Sequence, residues 1–255
     1  MFQYIYINND TVIASYNLFV GFGLIIGLLY LDYQINKMSI LDSHITSIYL
    51  CVIFALVFGF LGAYFFDALT QGKLDTLEGV GLTFYGGLLS GLISIIIFIR
   101  IFRLDMMETL NLLTPSLVIG HAVGRIGCFF AGCCYGEPTN SPWGIVFPKG
   151  SFPTLQFEYG TALHPTQIYE AFFLFVLFVV ILKVVSFRYR AIVYFISYGL
   201  IRFFIEYLRA DDRGTILNQI ALSPSQLISI MIVIVGVVLW GITQEQERNI
   251  QNSNI

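Results

Sequence analysis

The sequence predicts an all-α, polytopic membrane protein with about seven transmembrane helices. Of its 255 residues, 57% are hydrophobic and only 11% are charged, and the mean hydropathy is +0.79. Soluble domains carry about 25% charged residues, so this shortage of charge decides the class. No linker or change of composition divides the chain, and we expect a single integral-membrane domain over residues 1–255.

Seven apolar segments approach the roughly 17–25 residues that a transmembrane helix needs. Their predicted bounds are Tyr16–Leu31, Ile48–Phe66, Leu82–Ile99, Leu110–Val123, Gln167–Val185, Ala191–Leu208 and Gln226–Ile242. The fourth segment is short and contains Pro115, so we expect it to be broken or to span only part of the membrane. From Gly124 to His164 the chain is expected to be irregular, because prolines recur there and disfavour a continuous helix.

Lysine and arginine in the short loops indicate the orientation of the chain. With the N-terminus outside, seven basic residues lie in inside segments and five in outside segments. This bias predicts an outside N-terminus, an inside C-terminus and an outward-facing irregular segment after the fourth helix. The formal net charge of −3 gives no basic surface, so no nucleic-acid partner is expected.

The stretch from Gly120 to Gly136 is the first candidate site. It follows an apolar run, yet it contains Arg125, His121 and several glycines. An arginine at bilayer depth costs about 3 kcal/mol on insertion scales, so it is rarely left without a function. Glycine lets the backbone bend and lets a ligand approach closely.

A second group of charges lies at the end of the sixth predicted helix. Arg202, Glu206 and Arg209 are spaced i, i+4 and i+7, which predicts that they share one helix face. An alternative is that they are interfacial anchors, with long side chains reaching the headgroups. That alternative is stronger for Arg209 than for Arg202, which lies deeper.

Glu170 lies about one turn inside the fifth predicted helix, after a helix start at Pro165 and Thr166. A carboxylate at that depth needs a cation, and either Arg125 or Arg202 could supply it. Alternatively Glu170 only caps the helix or neutralises charge. Because the arginine fork matches phosphate bidentately, the simplest ligand for this group of residues is a phospholipid headgroup.

Three cysteines near His121 raise the question of a metal site. The spacing of Cys128, Cys133 and Cys134 is C-x4-C-C, whereas zinc sites use C-x2–4-C plus a second pair. Buried cysteine also serves as a small apolar residue. We therefore expect neither a metal nor another cofactor.

The ordered motifs of this chain resemble those of the prolipoprotein diacylglyceryl transferase family. The resemblance lies in Gly124–Phe129 (GRIGCF), His164–Glu170 (HPTQIYE) and Arg202–Glu206 (RFFIE), with support from Thr83–Leu88 (TFYGGL) and Ser223–Leu227 (SPSQL). It extends over nearly the whole chain. The resemblance implies an inner-membrane enzyme that moves the diacylglyceryl group of phosphatidylglycerol to the cysteine thiol of a prolipoprotein signal peptide and releases glycerol phosphate.

The resemblance also implies roles for individual residues. Catalytic roles fall to Arg202, Glu206 and Tyr85, where Arg202 shares the phosphate or stabilises the leaving group and Glu206 holds Arg202. Glu170 would likewise hold Arg125, which binds the headgroup. The implied substrate-binding residues are Arg125, Tyr16, Gly132, Gly136, His164 and Glu170. Membrane lipid is the implied environment, and no metal is implied.

Three positions depart from the family pattern. The family has a histidine where Tyr85 stands, an asparagine where Cys128 stands and an acidic residue where Cys133 stands. Tyrosine, with an ordinary pKa of about 10, is a weak base at neutral pH. These changes bear on the acceptor more than on the phospholipid, and a divergent branch with another acceptor is one alternative. Another is an anion or lipid transporter, since buried arginines also build transport sites, and a third is a lipid-binding protein without catalysis.

Overall fold

The computed structural model describes residues 4–8, 11–38, 42–70, 84–210 and 222–253. It divides into two compact units: Met1–Leu31 with Asn111–Ile255, and Asp32–Leu110. The elements of the described residues run in this order: β1 (Tyr4–Asn8), β2 (Thr11–Ala14), α1 (Ser15–Met38), α2 (Asp42–Thr70), α3 (Phe84–Ile101), α4 (Met106–Ala131), β3 (Ile145–Val146), α5 (Pro153–Gln156), β4 (Ala162–Leu163), α6 (Thr166–Lys183), α7 (Arg190–Ile205) and α8 (Pro224–Ser253).

The helices confirm an all-α, polytopic membrane protein. In the described part of the chain six helices are long and apolar enough to cross a membrane, and α3 contributes a shorter apolar helix over Gly86–Ile101. Together these seven helices correspond one to one to the seven predicted segments. Many large apolar side chains on them are exposed, as expected for helices surrounded by lipid.

The prediction of a broken fourth helix is wrong. Helix α4 runs without interruption from Met106 to Ala131, with Pro115 inside it, and it includes Gly124–Ala131, which we had expected to be irregular. Glycine costs a helix about 1 kcal/mol relative to alanine. An unsatisfied backbone group in hydrocarbon costs several kcal/mol, so the helical hydrogen bonds prevail. Arg125 therefore lies on a helix and not in a loop.

The prediction for the end of the sixth helix is wrong in one respect. Helix α7 ends at Ile205, a 3₁₀ turn covers Glu206–Leu208, and Arg209 is extended with φ −89° and ψ 141°. Arg209 therefore does not continue the helix face of Arg202. The chain leaves the helix because its backbone pairs with another segment: Glu137 N donates to Leu208 O at 2.9 Å, and Ala210 N donates to Tyr135 O at 3.2 Å.

Small residues bring helices together in both units, as the spacing Gly23-x-x-x-Gly27 and Gly87-x-x-x-Gly91 predicts. In the first unit, a Cβ on Gly23 would lie 2.7 Å from Gly120 O, so α1 and α4 cross with their backbones in contact. In the second unit, a Cβ on Gly87 would lie 3.2 Å from Gly59 O, where α2 meets α3. At Gly23 a Cβ would overlap a backbone oxygen, whereas at Gly87 it would push the two helices slightly apart.

The apolar core of the first unit lies between α4, α6 and α7. Its buried members are Val118, Ala122, Leu174, Leu177, Ile181, Tyr194 and Tyr198. Helix α8 packs on α7 at Gly199, where a Cβ would come within 2.8 Å of Ser229 O. This packing fixes the rotation of α4, α6 and α7, and with it the direction in which their polar side chains point.

The segment between α4 and α6 is compact and mostly irregular. Strands β3 and β4 pair antiparallel, with Ile145 opposite Leu163. Beneath them Tyr135, Phe147 and Leu163 form a small buried cluster. The segment therefore has a core of its own, which holds its ends in place beside the helices.

Candidate active site

Arg125 and Glu170 form a buried ion pair between α4 and α6. The Arg125 Nη2 atom lies 3.0 Å from Glu170 Oε1, and the two side chains are 12% and 2% exposed. Arg125 and Arg202 were both candidate partners for Glu170, and its close ion pair is with Arg125. Breaking a buried pair by removing one partner leaves an uncompensated charge, which costs about 3–5 kcal/mol.

Two aromatic side chains of α7 and one histidine complete the surroundings of this pair. Tyr198 donates its hydroxyl proton to Glu170 Oε1 at 3.1 Å. Arg125 Nε donates to His121 Nε2 at 3.4 Å, and His121 Nδ1 lies 3.4 Å from the Tyr194 hydroxyl. Because Nε2 accepts a hydrogen bond, the network assigns the ring proton to Nδ1, and His121 is neutral. The Glu170 carboxylate is therefore balanced by Arg125 and not by His121.

Arg202, in the last turn of α7, forms a second buried ion pair with Glu206. Its Nη2 atom lies 2.6 Å from Glu206 Oε2 and 3.0 Å from Ser225 Oγ, and the side chains of Arg202 and Glu206 are each 7% exposed. Ser223 donates to the other oxygen of Glu206 at 2.6 Å. The Arg202 Nη1 atom is buried and has no hydrogen-bond partner among the described residues.

Helix α8 begins in a way that fixes the serines beside Arg202. Gln226 N donates to Ser223 Oγ at 3.2 Å, and Ser223 N donates to Gln226 Oε1 at 3.0 Å. This reciprocal pair is a capping box, and Pro224 stands at the first helical position, where its missing N–H costs nothing. The cap holds Ser223 and Ser225 toward the Arg202–Glu206 pair.

The two arginine–carboxylate pairs are neighbours through α7. Tyr198, which contacts Glu170, lies four residues before Arg202, so the two side chains occupy successive turns of one helix face. The positive charges of Arg202 and Arg209 also act on Glu170. The site thus combines two buried cations and two carboxylates in one unit.

The end of α4 is tied to the start of α6 by two short hydrogen bonds. Thr166 Oγ1 donates to Cys134 O, and Gln167 Nε2 donates to Cys133 O, each at 2.5 Å. Helix α4 itself ends in a Schellman motif, in which Gly132 has φ +75° and Cys133 N donates to Cys128 O at 3.2 Å. The left-handed conformation explains the glycine at position 132.

Gly136 lies where three backbone segments meet. Its N–H donates to His164 O at 2.9 Å, it bridges to Arg209, and a Cβ here would lie within 2.9 Å of His164 O. The space that a side chain would fill is occupied by this chain's own backbone. Contact of Gly132 and Gly136 with substrate stays a prediction.

The structure shows no hydrogen bond of the remaining predicted site residues, Tyr16, His164 and Tyr85, with Arg125 or Arg202 within its described part. Tyr16 lies at the start of α1 against Gly127 of α4, whose Cβ would be 3.4 Å from Tyr16 O. The His164 Nδ1 atom lies 3.2 Å from the Tyr169 hydroxyl. Tyr85 belongs to the other unit, in the first turn of α3, and its side chain lies outside the described part of the chain, as does Thr83.

The three cysteines at the end of α4 come together. The Sγ atoms of Cys128, Cys133 and Cys134 lie within 4.8 Å of one another. Cys134 has φ +64°, a left-handed conformation that is uncommon for a residue with a side chain. Hydrogen bonds within the cluster hold the pKa of the Cys134 thiol well below its ordinary value and raise the pKa of the Cys133 thiol.

Sequence reasoning missed several polar partners of the arginines. Tyr194 and Tyr198 precede Arg202 by eight and four residues, so all three lie on one face of α7, and this periodicity could have indicated them. Ser223 and Ser225 belong to the SPSQL motif, but the motif gave no indication that they contact the arginine pair. Their contact with Arg202 and Glu206 depends on how α8 packs against α7.

Fold and site together define a class: a polytopic membrane protein with two arginine–carboxylate pairs buried among its helices. The model of the family described as prolipoprotein diacylglyceryl transferase matches residues 4–242. The chain belongs to this family.

Relatives agree over most of the chain. A phosphatidylglycerol–prolipoprotein diacylglyceryl transferase of Clostridium tetani is 32% identical, over 92% of this chain and 95% of its own length. One of Clostridium perfringens, numbered 2 in its name, is 32% identical over 92% and 93%. One of Finegoldia magna is 31% identical over 81% and 79%.

Proposed function

We propose that this chain transfers the diacylglyceryl group of phosphatidylglycerol to the cysteine thiol of prolipoprotein signal peptides and releases glycerol phosphate, with Arg125 and Arg202 binding the phosphate. Membership of the family and the names of the relatives support the reaction. The roles of individual residues are our proposal. No observation favours the transporter or the binding protein without catalysis.

The observation that carries the assignment to Arg202 is its buried Nη1 atom, which has no hydrogen-bond partner among the described residues. A buried, unsatisfied donor costs about 1–3 kcal/mol, and more when it is charged. A phosphate oxygen is the acceptor that best suits a guanidinium. Binding of the phospholipid headgroup would remove this penalty, and the acyl chains would stay in the lipid around the helices.

In the proposed reaction, the acceptor thiolate attacks the glyceryl carbon that carries the phosphate ester. The new C–S bond forms as the C–O bond breaks, and the electron pair stays on the phosphate oxygen. Glycerol phosphate therefore departs with one additional negative charge. Electrostatic stabilisation of the charge that develops in the transition state is usually the largest single contribution to rate enhancement. In this proposal the positive charges of Arg125 and Arg202 supply it.

Glu170 and Glu206 act as positioning residues in this proposal. Each carboxylate is paired with one arginine, with an N···O distance of 3.0 Å for Glu170 and 2.6 Å for Glu206. Because each arginine has several donors, one can bind its carboxylate while others face the phosphate. Tyr16, Gly132, Gly136 and His164 are proposed to line the substrate path.

The acceptor thiol loses its proton with little help from a strong base. A cysteine thiol has an ordinary pKa of about 8.5, so a fraction is already thiolate near neutral pH. The thiol proton is released to water, and Tyr85, which stands where the family has a histidine, is proposed to orient the thiol by a hydrogen bond. The enzyme is proposed to lie in the bacterial cytoplasmic membrane, with its N-terminus outside and its C-terminus inside.

The test uses purified protein, phosphatidylglycerol vesicles and a lipobox peptide, with glycerol phosphate release and peptide mass as readouts. We expect a diacylglyceryl mass gain on the cysteine peptide and none on a Cys→Ser peptide. Arg125→Ala and Arg202→Lys should each lower the transfer rate by about 100-fold or more, the range measured for loss of one charge-stabilising donor. Arg188→Ala is the matched control, because Arg188 forms an exposed pair with Glu247.

Transfer at the wild-type rate by a folded Arg125→Ala variant would remove Arg125 from the phosphate site. Glycerol phosphate release without modification of the peptide would mean a different acceptor. Flux of lipid or anion without release of glycerol phosphate would favour the transporter.

A further inference from the structure

The cysteine cluster at the end of α4 is independent of the proposed transfer reaction, in which none of its three thiols takes part. It consists of Cys128, Cys133 and Cys134, whose sulfur atoms lie within 4.8 Å of one another. The C-x4-C-C spacing did not indicate a metal site, because zinc sites use C-x2–4-C plus a second pair. They converge because the helix stops between the first cysteine and the other two.

The backbone brings the cluster together by two left-handed residues. Gly132 ends α4 with φ +75°, and Cys134 follows with φ +64°. A left-handed conformation in a residue with a side chain is unfavourable and persists only where its surroundings hold it. Here the side chains of Thr166 and Gln167 bond to the carbonyl oxygens of Cys134 and Cys133.

From this geometry we propose that Cys128, Cys133 and Cys134 form a three-sulfur binding site for a soft divalent metal ion, with Zn²⁺ as the ion that fits best. Zinc binds sulfur at about 2.3 Å, which places tetrahedral ligands about 3.8 Å apart. From a separation of at most 4.8 Å, each pair of sulfurs closes by no more than about 1 Å. Thiolate ligands favour Zn²⁺ and exclude hard ions such as Mg²⁺.

Charge and access both suit this ion. Binding releases the thiol protons to water. The resulting three thiolates and one Zn²⁺ carry a net charge of −1, and the positive charges of Arg125 and Arg209 act on the sulfur of Cys134. A monovalent Cu⁺ ion would leave a larger uncompensated charge of −2. Cys128 is buried, whereas Cys133 and Cys134 are half-buried, so an ion can reach the cluster from the side of the last two residues.

The test is a titration of the reduced, full-length purified protein with Co²⁺, a coloured substitute for Zn²⁺. We expect a thiolate-to-metal charge-transfer band that saturates at one equivalent and disappears on addition of Zn²⁺ but not of Mg²⁺. Cys133→Ser and Cys128→Ser should each weaken binding by at least about 100-fold, since changes beyond the direct ligands alone cost 10–100-fold. Cys51→Ala is the matched control, because Cys51 is buried in α2 of the other unit. This variant should bind the metal as the wild type does.

A second measurement on the wild type avoids any effect of the variants on folding. With Zn²⁺ at ten times its dissociation constant, alkylation of Cys133 and Cys134 should slow by about tenfold, because only about one-tenth of the sites stay empty. The same concentration of Mg²⁺ should give no protection. The proposal is overturned by a wild type without a charge-transfer band, by a band that persists in Cys133→Ser, or by thiols that Zn²⁺ does not protect.

Discussion

At the level of single residues, the chain holds its two buried arginines by different means. Arg125 pairs with Glu170 and donates to His121, and Tyr198 and Tyr194 bond to these two partners. Arg202 contacts a carboxylate and a serine, and its Nη1 atom has no hydrogen-bond partner within the described residues. An arginine whose hydrogen bonds are incomplete in the protein is suited to an incoming anion. We therefore assign the larger share of the phosphate contact to Arg202.

Comparing the buried pair Arg202–Glu206 with the exposed pair Arg188–Glu247 tests whether burial makes an ion pair important for stability and transfer. Glu206→Gln keeps the size of a side chain that is 7% exposed but removes the charge that balances Arg202. We expect the free energy of unfolding to fall by up to about 5 kcal/mol, because one buried charge loses its partner. We also expect the transfer rate to fall. Thermal unfolding in detergent and the transfer assay measure the two effects.

Glu247→Gln is the control for that experiment. Glu247 pairs with Arg188 at 3.2 Å, but the two side chains are 32% and 45% exposed. Exposed pairs contribute about 0–1 kcal/mol, so this variant should unfold and react nearly as the wild type does. Equal effects of the two substitutions would contradict the distinction between a buried functional pair and a surface pair.

At the level of elements, the contact between α1 and α4 places two parts of the site together. It brings Tyr16 against the turn of α4 that carries Arg125. The crossing depends on Gly23 and Gly120, whose backbones touch. Small residues at such a crossing let helices approach closely enough for van der Waals packing to hold them within a bilayer.

We predict that Gly23→Ala destabilises the protein by about 1–3 kcal/mol, the usual cost of overpacking. The added Cβ would lie 2.7 Å from Gly120 O, a backbone atom that cannot rotate away. Gly21→Ala is the matched control on the same helix, because a Cβ there meets nothing within 4 Å. The control should be neutral or more stable, since alanine favours a helix over glycine by about 1 kcal/mol.

Thermal unfolding of the two glycine variants in the same detergent checks this prediction, and the transfer assay reports whether the site moves. If Gly23→Ala and Gly21→Ala unfold at the same temperature, α1 and α4 do not cross at Gly23.

At the level of the whole molecule, the proposed transfer reaction depends on which side of the membrane the segment between α4 and α6 faces. The orientation predicted from the sequence places the segment between α4 and α6 outside, and in the proposed reaction the acceptor prolipoprotein would be reached from that side. The excess of lysine and arginine in the opposite loops favours the same orientation.

Reporter fusions test this orientation. Alkaline phosphatase, which is active only outside the cytoplasm, should be active when fused at Gly150 and inactive when fused at the C-terminus. A green fluorescent protein should give the reverse result. Gly150 is a suitable junction because it lies in the segment between α4 and α6 whose side of the membrane is in question. Active phosphatase at the C-terminus would reverse the predicted orientation.

Class, helix number and candidate cations could be derived from the chain alone. Hydropathy and the scarcity of charge are properties of consecutive residues, so they indicate spans without any knowledge of packing. The same reasoning identified Arg125, Arg202, Glu170 and Glu206, because charge in an apolar segment is costly wherever the segment lies. It was wrong about the fourth helix, where the cost of unsatisfied backbone groups outweighs the weak helix preference of glycine.

Only the tertiary structure decided which side chains contact one another. Glu170 had two candidate cations by sequence, and the rotation of α4 against α6 selects Arg125. The serines beside Arg202 and the convergence of the three cysteines likewise depend on where one helix ends and the next begins. Composition and periodicity describe one segment at a time, whereas an ion pair or a sulfur cluster depends on how several segments are oriented toward one another.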